Sequence, residues 1–342
     1  MLKQRKSVVG LDIGSSSIKA IEITQDKYEH IITAFAHVDV ASEQGRRDAL
    51  AELFRSGGFH TKRVATSIGG KSVIFRYLNM AKMSKDELGN AIRFEADKYI
   101  PFEIDEVELD TQVLGPAPGG DEASEQMRVL LVAAKTSMVE DQADMLVELG
   151  LQPVSVGVDS FALSNAFELS EIVSPGLHES DSTVALVDIG FSKTSINIVR
   201  NQVTQFAREV AIGGQDLTNA ITRRFALETF EAEALKRDPQ DQVVEVQDAV
   251  APVLDDLGNE INLSFDFFEN QFDGEVAEVN LSGGTVLLPF LEEGLEKIFE
   301  KRTRVWNPLE GLKVRADNVD IDALNKSAPQ LTVAVGLAAS SC

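Results

Sequence analysis

Short apolar runs alternate with amphipathic stretches along the chain, and this alternation predicts an α/β protein. Apolar residues over 8–23, 31–40 and 276–281 predict strands, of which the first two form consecutive parts of a meander. Apolar residues recur at helical spacing over 43–56 and over most of 243–272, where helices are predicted. Strands and helices therefore alternate through both halves of the chain.

The clearest helix boundary lies in the first half of the chain. Ser84 and Glu87 form a capping-box pattern, and apolar residues follow at helical spacing as far as Ile100. Pro101 disfavours continuation of the helix, so the helix is predicted to end there.

A turn is predicted just before this helix. Strands predicted over 63–68 and 72–78 are separated by the glycine pair Gly69-Gly70. Because glycine accepts the backbone conformations of tight turns, the two strands are predicted to form a hairpin.

One short motif occurs twice, each time at the end of a predicted strand. Asp12-Ile13-Gly14 and Asp188-Ile189-Gly190 each follow an apolar run and precede small hydroxyl residues. A phosphate group needs backbone N–H donors at close range; glycine permits this approach, and hydroxyl side chains add donors. Phosphate binding is therefore predicted for both loops, through Gly14, Ser15, Ser16, Ser17, Gly190, Ser192, Lys193 and Thr194.

A third strand ends in a glycine pair, and its position completes a pattern. The predicted strand over 276–281 leads into Gly283, Gly284 and Thr285. Two phosphate loops that face each other, with a glycine-rich adenosine loop between them, form the arrangement by which the actin-like fold holds ATP. We therefore predict an α/β fold of the actin-like (ribonuclease H-like) type, with two lobes and an ATP site between them.

Charged residues near the loops extend this prediction. Asp12 and Asp188 suit Mg²⁺, which usually keeps several of its waters and binds proteins through one or two carboxylates. These carboxylates are predicted to hold the metal through water. Lys19 places a positive charge close to the first loop.

Two further features admit a functional and a structural explanation. Gly213-Gly214 precedes a predicted helix, where it forms either part of the nucleotide site or a simple turn. Glu233 and Lys236 lie three residues apart on one helix face, a spacing that suits either the bracketing of adenine and ribose or a surface ion pair.

Composition excludes several classes of protein. The chain has 55 acidic against 32 basic residues, a net charge of −23, which disfavours nucleic acid and anionic lipid as partners. A single cysteine suits a reducing cytoplasm. No apolar stretch approaches the roughly 20 residues that span a bilayer, so direct membrane insertion is not expected.

With these residues in place, the chain resembles the PilM family of cytoplasmic actin-like proteins of type IV pilus assembly, which are related to FtsA. The most specific run is Ala91-Ile92-Arg93-Phe94-Glu95-Ala96-Asp97-Lys98-Tyr99-Ile100-Pro101-Phe102. The resemblance continues in order through residues 87–88, 110, 157–163, 213–218, 231–236, 281–284, 307–309 and 335–338.

The resemblance implies a partner and a location. PilM-like proteins bind ATP and grip the N-terminal cytoplasmic peptide of the membrane protein PilN. The peptide is expected in a groove between an inserted subdomain and the first actin-like subdomain, with contacts from Phe94, Tyr99, Ile100, Pro101 and Phe102. A cytoplasmic protein that is peripheral at the inner membrane is expected, together with contacts to other pilus assembly proteins or to further copies of itself.

The resemblance also implies how the chain is divided. Residues 1–79 are assigned to the first lobe, 80–155 to the inserted partner-binding subdomain and 156–182 to a connection that completes the first lobe. Residues 183–342 form the second lobe, with a helical subdomain at about 219–272.

Departures from the family pattern bear on catalysis. Gly157 stands where PilM-like chains often carry an acidic residue, and Phe191 stands where a small residue is commoner. Asp159 is the candidate to replace the missing acid, and ATP hydrolysis is expected to be weak or absent. The alternatives are an FtsA-like filament protein and a small-molecule kinase on the same fold. The first needs a basic amphipathic C-terminal helix, and it is disfavoured because residues 327–342 contain no Lys or Arg.

Overall fold

The computed structural model describes residues 6–26, 29–40, 45–70, 73–117, 125–175, 182–272, 274–315, 317 and 319–342. The strands of the described residues are β1 (Lys6–Ile13), β2 (Ser17–Gln25), β3 (His30–Asp39), β4 (Arg63–Ile68), β5 (Val73–Ala81), β6 (Val107–Pro116), β7 (Gln126–Lys135), β8 (Gln152–Val158), β9 (Thr183–Ile189), β10 (Thr194–Arg200), β11 (Val203–Val210), β12 (Glu278–Ser282), β13 (Arg302–Val305) and β14 (Lys313–Val314). The helices are α1 (Arg46–Ser56), α2 (Lys85–Ala96), α3 (Thr136–Glu148), α4 (Asp159–Val173), α5 (Gly214–Phe225), α6 (Thr229–Arg237), α7 (Val243–Phe272), α8 (Leu291–Phe299), α9 (Ile321–Ser327) and α10 (Thr332–Ser341).

Two of the sheets repeat the same plan. The first lobe contains a sheet with the order β14-β3-β2-β1-β4-β8, in which β1, β2 and β3 form the predicted antiparallel meander and β4 runs parallel to β1. The second lobe contains a sheet with the order β11-β10-β9-β12-β13, in which β9, β10 and β11 form the same meander and β12 runs parallel to β9. Each copy of the Asp-Ile-Gly motif therefore occupies the first hairpin of its lobe.

A third sheet, here called the inserted sheet, has the order β5-β7-β6. The hairpin predicted at Gly69-Gly70 is wrong, because β4 pairs within the first lobe whereas β5 pairs with β7 in the inserted sheet. Helix α2 covers one face of this sheet with Leu88 and Ile92. The capping box at Ser84 is confirmed, but the helix ends at Ala96, before the predicted end at Ile100.

The limits of the inserted sheet differ from those of the predicted segment 80–155. The sheet begins at Val73 with β5 and ends at Lys135 with β7. Helix α3 then packs Leu146 into the core of the first lobe, and β8 pairs with β4 in the first-lobe sheet. The predicted domain limits remain predictions, and sheet membership places the insertion earlier in the chain than they do.

Two helices, α4 and α10, pack against each other in a core that residues from both large sheets share. Gly336 of α10 lies so close to the Ala162 carbonyl of α4 that an added Cβ would collide with it. The C-terminal helix is therefore part of the core that joins the lobes. Among the described residues, no helix is long and apolar enough to cross a membrane.

Candidate nucleotide site

The two Asp-Ile-Gly loops face each other across the cleft between the lobes. The hydroxyl oxygens of Ser15 and Ser192, one from each loop, lie 3.1 Å apart. Each loop closes with a backbone bond: the amide of Gly14 donates to Ser17 O and the amide of Gly190 donates to Lys193 O, both at 3.0 Å. The arrangement of opposed hairpins predicted from the repeated motif is therefore present in the structure.

Two carboxylates lie at the start of these loops. Lys19 Nζ lies 2.9 Å from Asp12 Oδ2, and Ser282 Oγ donates to Asp188 Oδ1 at 2.9 Å. Burial, with a smaller contribution from the negative charge of Asp12, raises the pKa of Asp188 to about 6, although the Ser282 hydrogen bond opposes this. The site thus holds an acidic group whose ionisation is costly until a cation neutralises it.

The loops line two adjoining cavities of about 280 Å³ and about 430 Å³. Both cavities are lined by Asp12, Ser16, Lys19, Asp188, Gly190 and Phe191, so a single elongated ligand can reach from one into the other. The smaller cavity is also lined by Ser17, Glu233, Lys236, Gly283, Gly284 and Thr285, and the larger by Gly14, Ser15, Asp159, Ser192 and Lys193.

Helix α6 supplies a buried charge cluster at the smaller cavity. Lys236 Nζ donates to the Gly214 carbonyl at 2.9 Å, to Thr218 Oγ1 at 2.8 Å and to Glu233 Oε2 at 2.6 Å. Burial lowers the pKa of Lys236, although Glu233 opposes the shift. The surface ion pair considered for Glu233 and Lys236 does not describe this site, because the lysine is buried and lines a cavity.

The glycine pairs hold the second loop in place. The amide of Gly214 donates to the Gly190 carbonyl at 2.9 Å, and an added Cβ on Gly213 would lie 2.6 Å from the Phe191 carbonyl. Gly283 has a φ of +94°, which disfavours any side chain there. Gly213 and Gly214 line neither cavity, and so act from behind the loop.

The side chain of Thr194 also differs from its predicted role in phosphate binding. Its side chain is buried, and its Oγ1 donates to the Ile212 carbonyl at 2.8 Å, just before the Gly213-Gly214 segment. Thr285 Oγ1 donates to the Gly190 carbonyl at 2.9 Å while still lining the smaller cavity. Thr194 therefore supports the loop, whereas Thr285 contributes to both the support and the wall.

A second charge cluster lies at the larger cavity. Lys193 Nζ lies 2.8 Å from Asp159 Oδ2 and also pairs with Glu209, whose Oε2 accepts the Gly70 amide at 3.2 Å. Burial lowers the pKa of Lys193, but the two carboxylates outweigh burial and the net shift is upward. Burial raises the pKa of Asp159. With glycine at position 157, the carboxylates that line this cavity are Asp12, Asp159 and Asp188.

Several residues of the site carried no local signal in the sequence. Arg237 bridges the lobes, with Nη1 2.9 Å from Asp39 Oδ2, and His37 and Gln330 line the smaller cavity. For Arg237 the sequence signal was its spacing of four residues from Glu233, which suits an ion pair on one helix face. Among the described residues, no group of three or more His, Cys, Asp or Glu side chains is arranged to hold a metal ion.

The predicted partner residues divide between surface and core. Phe94 is 79% exposed and Tyr99 is 42% exposed, and Pro101 is also exposed. Ile100 is buried, and Phe102 packs against the core of the inserted sheet with its ring 4.6 Å from Lys135 Nζ. Phe94, Tyr99 and Pro101 are thus accessible to a partner, while Ile100 and Phe102 stabilise the subdomain that presents them.

A large groove lies where the sequence made no prediction. A cavity of about 820 Å³ separates β5 of the inserted sheet from β11 of the second lobe, with Phe267 of α7 on its wall. A smaller cavity of about 210 Å³ lies between the inserted sheet and α4. Gly70, Ser192 and Lys193 line both the large groove and the larger cavity of the cleft.

Comparison with known proteins agrees with this geometry. A family model described as type IV pilus assembly protein PilM matches residues 10–342. Among solved structures, the chain is similar to a PilM–PilN type IV pilus biogenesis complex, with 29% identity, a TM-score of 0.85 and 99% of each chain covered.

Two more distant structures share the fold. The ethanolamine utilization protein EutJ of Carboxydothermus hydrogenoformans is 16% identical, with a TM-score of 0.55 and 98% and 90% of the two chains covered. MreB5 of Spiroplasma citri bound to AMPPNP is 10% identical, with a TM-score of 0.53 and 98% and 95% covered. These similarities confirm the predicted actin-like α/β fold. Since the family model spans almost the whole sequence, the chain belongs to the PilM family of type IV pilus assembly proteins.

Proposed function

We propose that this protein is an ATP-binding assembly platform of a type IV pilus or a related secretion machine. The observation that carries the proposal is the pair of opposed Asp-Ile-Gly hairpins, whose Ser15 and Ser192 hydroxyls meet across the cleft. Backbone amides and hydroxyls from both lobes converge there, as a chain of phosphates requires. A ligand that contacts both hairpins also sets the angle between the lobes, and so controls any surface that the lobes share.

The residues present fit a magnesium–nucleotide complex. Asp12 and Asp188 supply two carboxylates, the number with which Mg²⁺ typically binds proteins while it keeps waters and phosphate oxygens. Mg²⁺, when bound, supplies the positive charge that offsets these carboxylates and the phosphates. Lys19 adds a cation next to Asp12, and Glu233 and Lys236 form the wall of the cavity proposed for adenosine.

Slow hydrolysis or none fits the environment of Asp159. Its Oδ2 is held 2.8 Å from Lys193 Nζ, and its Oδ1 accepts the Ser160 amide at 2.8 Å. Each carboxylate oxygen thus already accepts one contact, and while Lys193 stays paired with Asp159 fewer acceptor sites remain for a water molecule that a general base would activate. Binding of the nucleotide, rather than its turnover, is proposed as the functional event.

The proposed partner is the N-terminal cytoplasmic peptide of a PilN-like inner-membrane protein. The similar solved structure is a complex of PilM with PilN. On this chain, the exposed aromatic side chains of Phe94 and Tyr99 on the inserted subdomain offer apolar contact area. The net charge of −23 favours a peptide that carries a basic residue. Through this peptide the protein is placed at the cytoplasmic face of the inner membrane.

The FtsA-like alternative is disfavoured by the position of α10. Direct membrane attachment by such a protein needs an amphipathic helix that is free to leave the fold. Residues Thr332–Ala338 are instead buried between the lobes, and Gly336 contacts α4.

Calorimetry with Mg²⁺–ATP tests the nucleotide site. Asp12→Ala and Asp188→Ala are each expected to abolish measurable binding while the far-UV spectrum is unchanged. Asp256→Ala, at an exposed position of α7, is the matched control and retains binding. Unchanged ATP affinity in both cleft variants contradicts the assignment of the loops.

Fluorescence anisotropy with a labelled PilN-like N-terminal peptide tests the partner surface. Phe94→Ser removes an exposed side chain and leaves the core intact, and Phe230→Ser on α6 is the control, with a residue that is 74% exposed. We expect weaker peptide binding only for Phe94→Ser. If Phe267→Ser alone weakens binding, the peptide occupies the large groove beside β11 instead.

A further inference from the structure

Lys193 lies at the end of the cleft that is remote from the adenosine cavity. It lines the larger cavity but not the smaller one, whereas Lys19 lines both. A nucleotide whose base occupies the smaller cavity has its inner phosphates at the shared residues, Asp12, Lys19 and Asp188. Only its outermost phosphate then extends toward Lys193.

The ammonium group of Lys193 is held by two carboxylates that belong to different parts of the molecule. Asp159 is the first residue of α4, and Glu209 is near the end of β11. A terminal phosphate is an anion that competes with both carboxylates for the same three N–H donors. A nucleoside diphosphate lacks this group and leaves the existing ion pairs in place.

Glu209 connects this lysine to the inserted sheet. One of its carboxylate oxygens pairs with Lys193, and the other accepts the amide of Gly70, three residues before β5 begins. Gly69 is packed so tightly that an added Cβ would collide with the Asp159 carboxylate and with Lys193 Nζ. A shift of the lysine therefore changes the contacts of Gly69 and Gly70, and the Gly70 carbonyl accepts the amide of Val73 at the start of β5.

We propose that Lys193 is the residue that distinguishes nucleoside triphosphate from diphosphate, and that Glu209 transmits its position to the inserted sheet through Gly70. This inference rests on the proposed nucleotide function and adds to it the identity of the residue that detects the terminal phosphate. Lys193 acts on the phosphate directly, while Glu209 is a positioning residue. The coupling is reciprocal, so a ligand that fixes the inserted sheet also alters the preference for triphosphate.

Calorimetric titrations with Mg²⁺–ATP, Mg²⁺–AMPPNP and Mg²⁺–ADP test the first part. Loss of one charge-assisted contact typically lowers affinity by about tenfold or more, so the ratio of triphosphate to diphosphate affinity should fall by about that factor in Lys193→Met. Lys193→Met/Glu209→Gln is expected to show the same loss, which excludes repulsion by an unpaired Glu209 as its cause. Lys193→Arg retains the cation and most of the ratio.

Lys297→Met is the matched control, because Lys297 pairs with Glu293 on an exposed surface of α8. An unchanged ratio in Lys193→Met, with wild-type protein that binds both nucleotides, overturns the inference and leaves the proposed function intact. Failure of wild-type protein to bind any nucleotide instead overturns the proposed function.

Hydrogen exchange of peptides covering Val73–Ala81 tests the second part. In the wild type, AMPPNP but not ADP is expected to change exchange in β5. Glu209→Gln removes one competitor for Lys193, so it should retain or increase the triphosphate preference and lose this change, a separation that a merely structural role of Glu209 does not produce. Glu260→Gln, which weakens the neighbouring pair with Arg208, is the control and should keep the AMPPNP-dependent exchange change in β5. Equal exchange changes with AMPPNP in Glu209→Gln and in wild type overturn the coupling role.

Discussion

The ionised carboxylate of Asp188 is expected to lower the stability of the folded protein by an amount that can be measured. Its pKa of about 6 in the folded protein compares with 3.8 for the ordinary aspartate, and burial is the main cause. At about 1.36 kcal/mol per pKa unit, ionisation of Asp188 costs the folded state up to about 3 kcal/mol. Asp188 retains some exposure to the cleft, so water reduces this cost and the figure is an upper limit.

The direction in which this cost changes with pH follows from the raised pKa. The folded protein holds the proton more tightly than the unfolded chain, so the cost grows as the pH rises from about 4 and is complete above about 6. Asp188→Asn removes the charge, and its amide oxygen can still accept the hydrogen bond from Ser282. The variant without ligand is therefore expected to be more stable than wild type, by up to about 3 kcal/mol at pH 8 and about half of that at pH 5.

Urea denaturation between pH 5 and pH 8.5, in the presence of a chelator and without nucleotide, measures this difference. Asp256→Asn, on the exposed face of α7, should show no comparable pH dependence. With Mg²⁺–ATP added, wild type gains stability from binding and Asp188→Asn does not. A variant that is less stable than wild type at pH 8, or a difference that does not change with pH, refutes the reasoning.

Three further substitutions, one of them with a matched control, probe contacts elsewhere in the fold and between the lobes. Gly336→Ala should destabilise the protein by about 1–3 kcal/mol, because the added Cβ collides with the Ala162 carbonyl. Gly89→Ala, with open space around it, is the control and should be neutral or stabilise the protein by up to about 1 kcal/mol, as thermal melts can show. Arg128→Ala should cost about 2–4 kcal/mol and speed hydrogen exchange in β5 and β7, because its guanidinium lies between the Tyr77 and Phe272 rings and donates to Gln205; unchanged exchange there contradicts this role. Arg237→Ala breaks an exposed pair with Asp39 and should cost less than about 1 kcal/mol, yet quicken nucleotide association and release in stopped-flow measurements; a large loss of stability refutes that view.

The phosphate loops were predictable because their information is local. Asp12 lies near the end of β1, and Gly14 comes just after that strand and three residues before β2 begins. Asp188 lies near the end of β9 in the same way, and Gly190 comes four residues before β10 begins. Such a hairpin forms wherever the strands pair, and its backbone donors depend on the glycine itself. The structure confirms both hairpins and their opposition across the cleft.

The prediction of a hairpin at Gly69-Gly70 was wrong because the information it needed is not local. Two adjacent strand patterns with glycines between them give no information about which sheet each strand joins. β4 pairs with β1 and β8, whereas β5 pairs with β7, which lies more than forty residues further along the chain. Such a choice is made by long-range packing.

From the sequence alone came the two hairpins, the helix cap at Ser84 and several strands and helices near their observed limits, because each depends on residues that are neighbours in the chain. The family resemblance also came from the sequence, through short motifs that follow one another in order. The tertiary structure decided which distant groups meet: Arg237 with Asp39, Lys193 with Asp159 and Glu209, and Gly336 with Ala162. Lys193 and Glu209 meet through the pairing of β10 with β11. The other contacts join segments brought together when apolar surface from both lobes is buried in a common core. No local pattern encodes them, and they determine how the two lobes and the inserted sheet meet at the cleft.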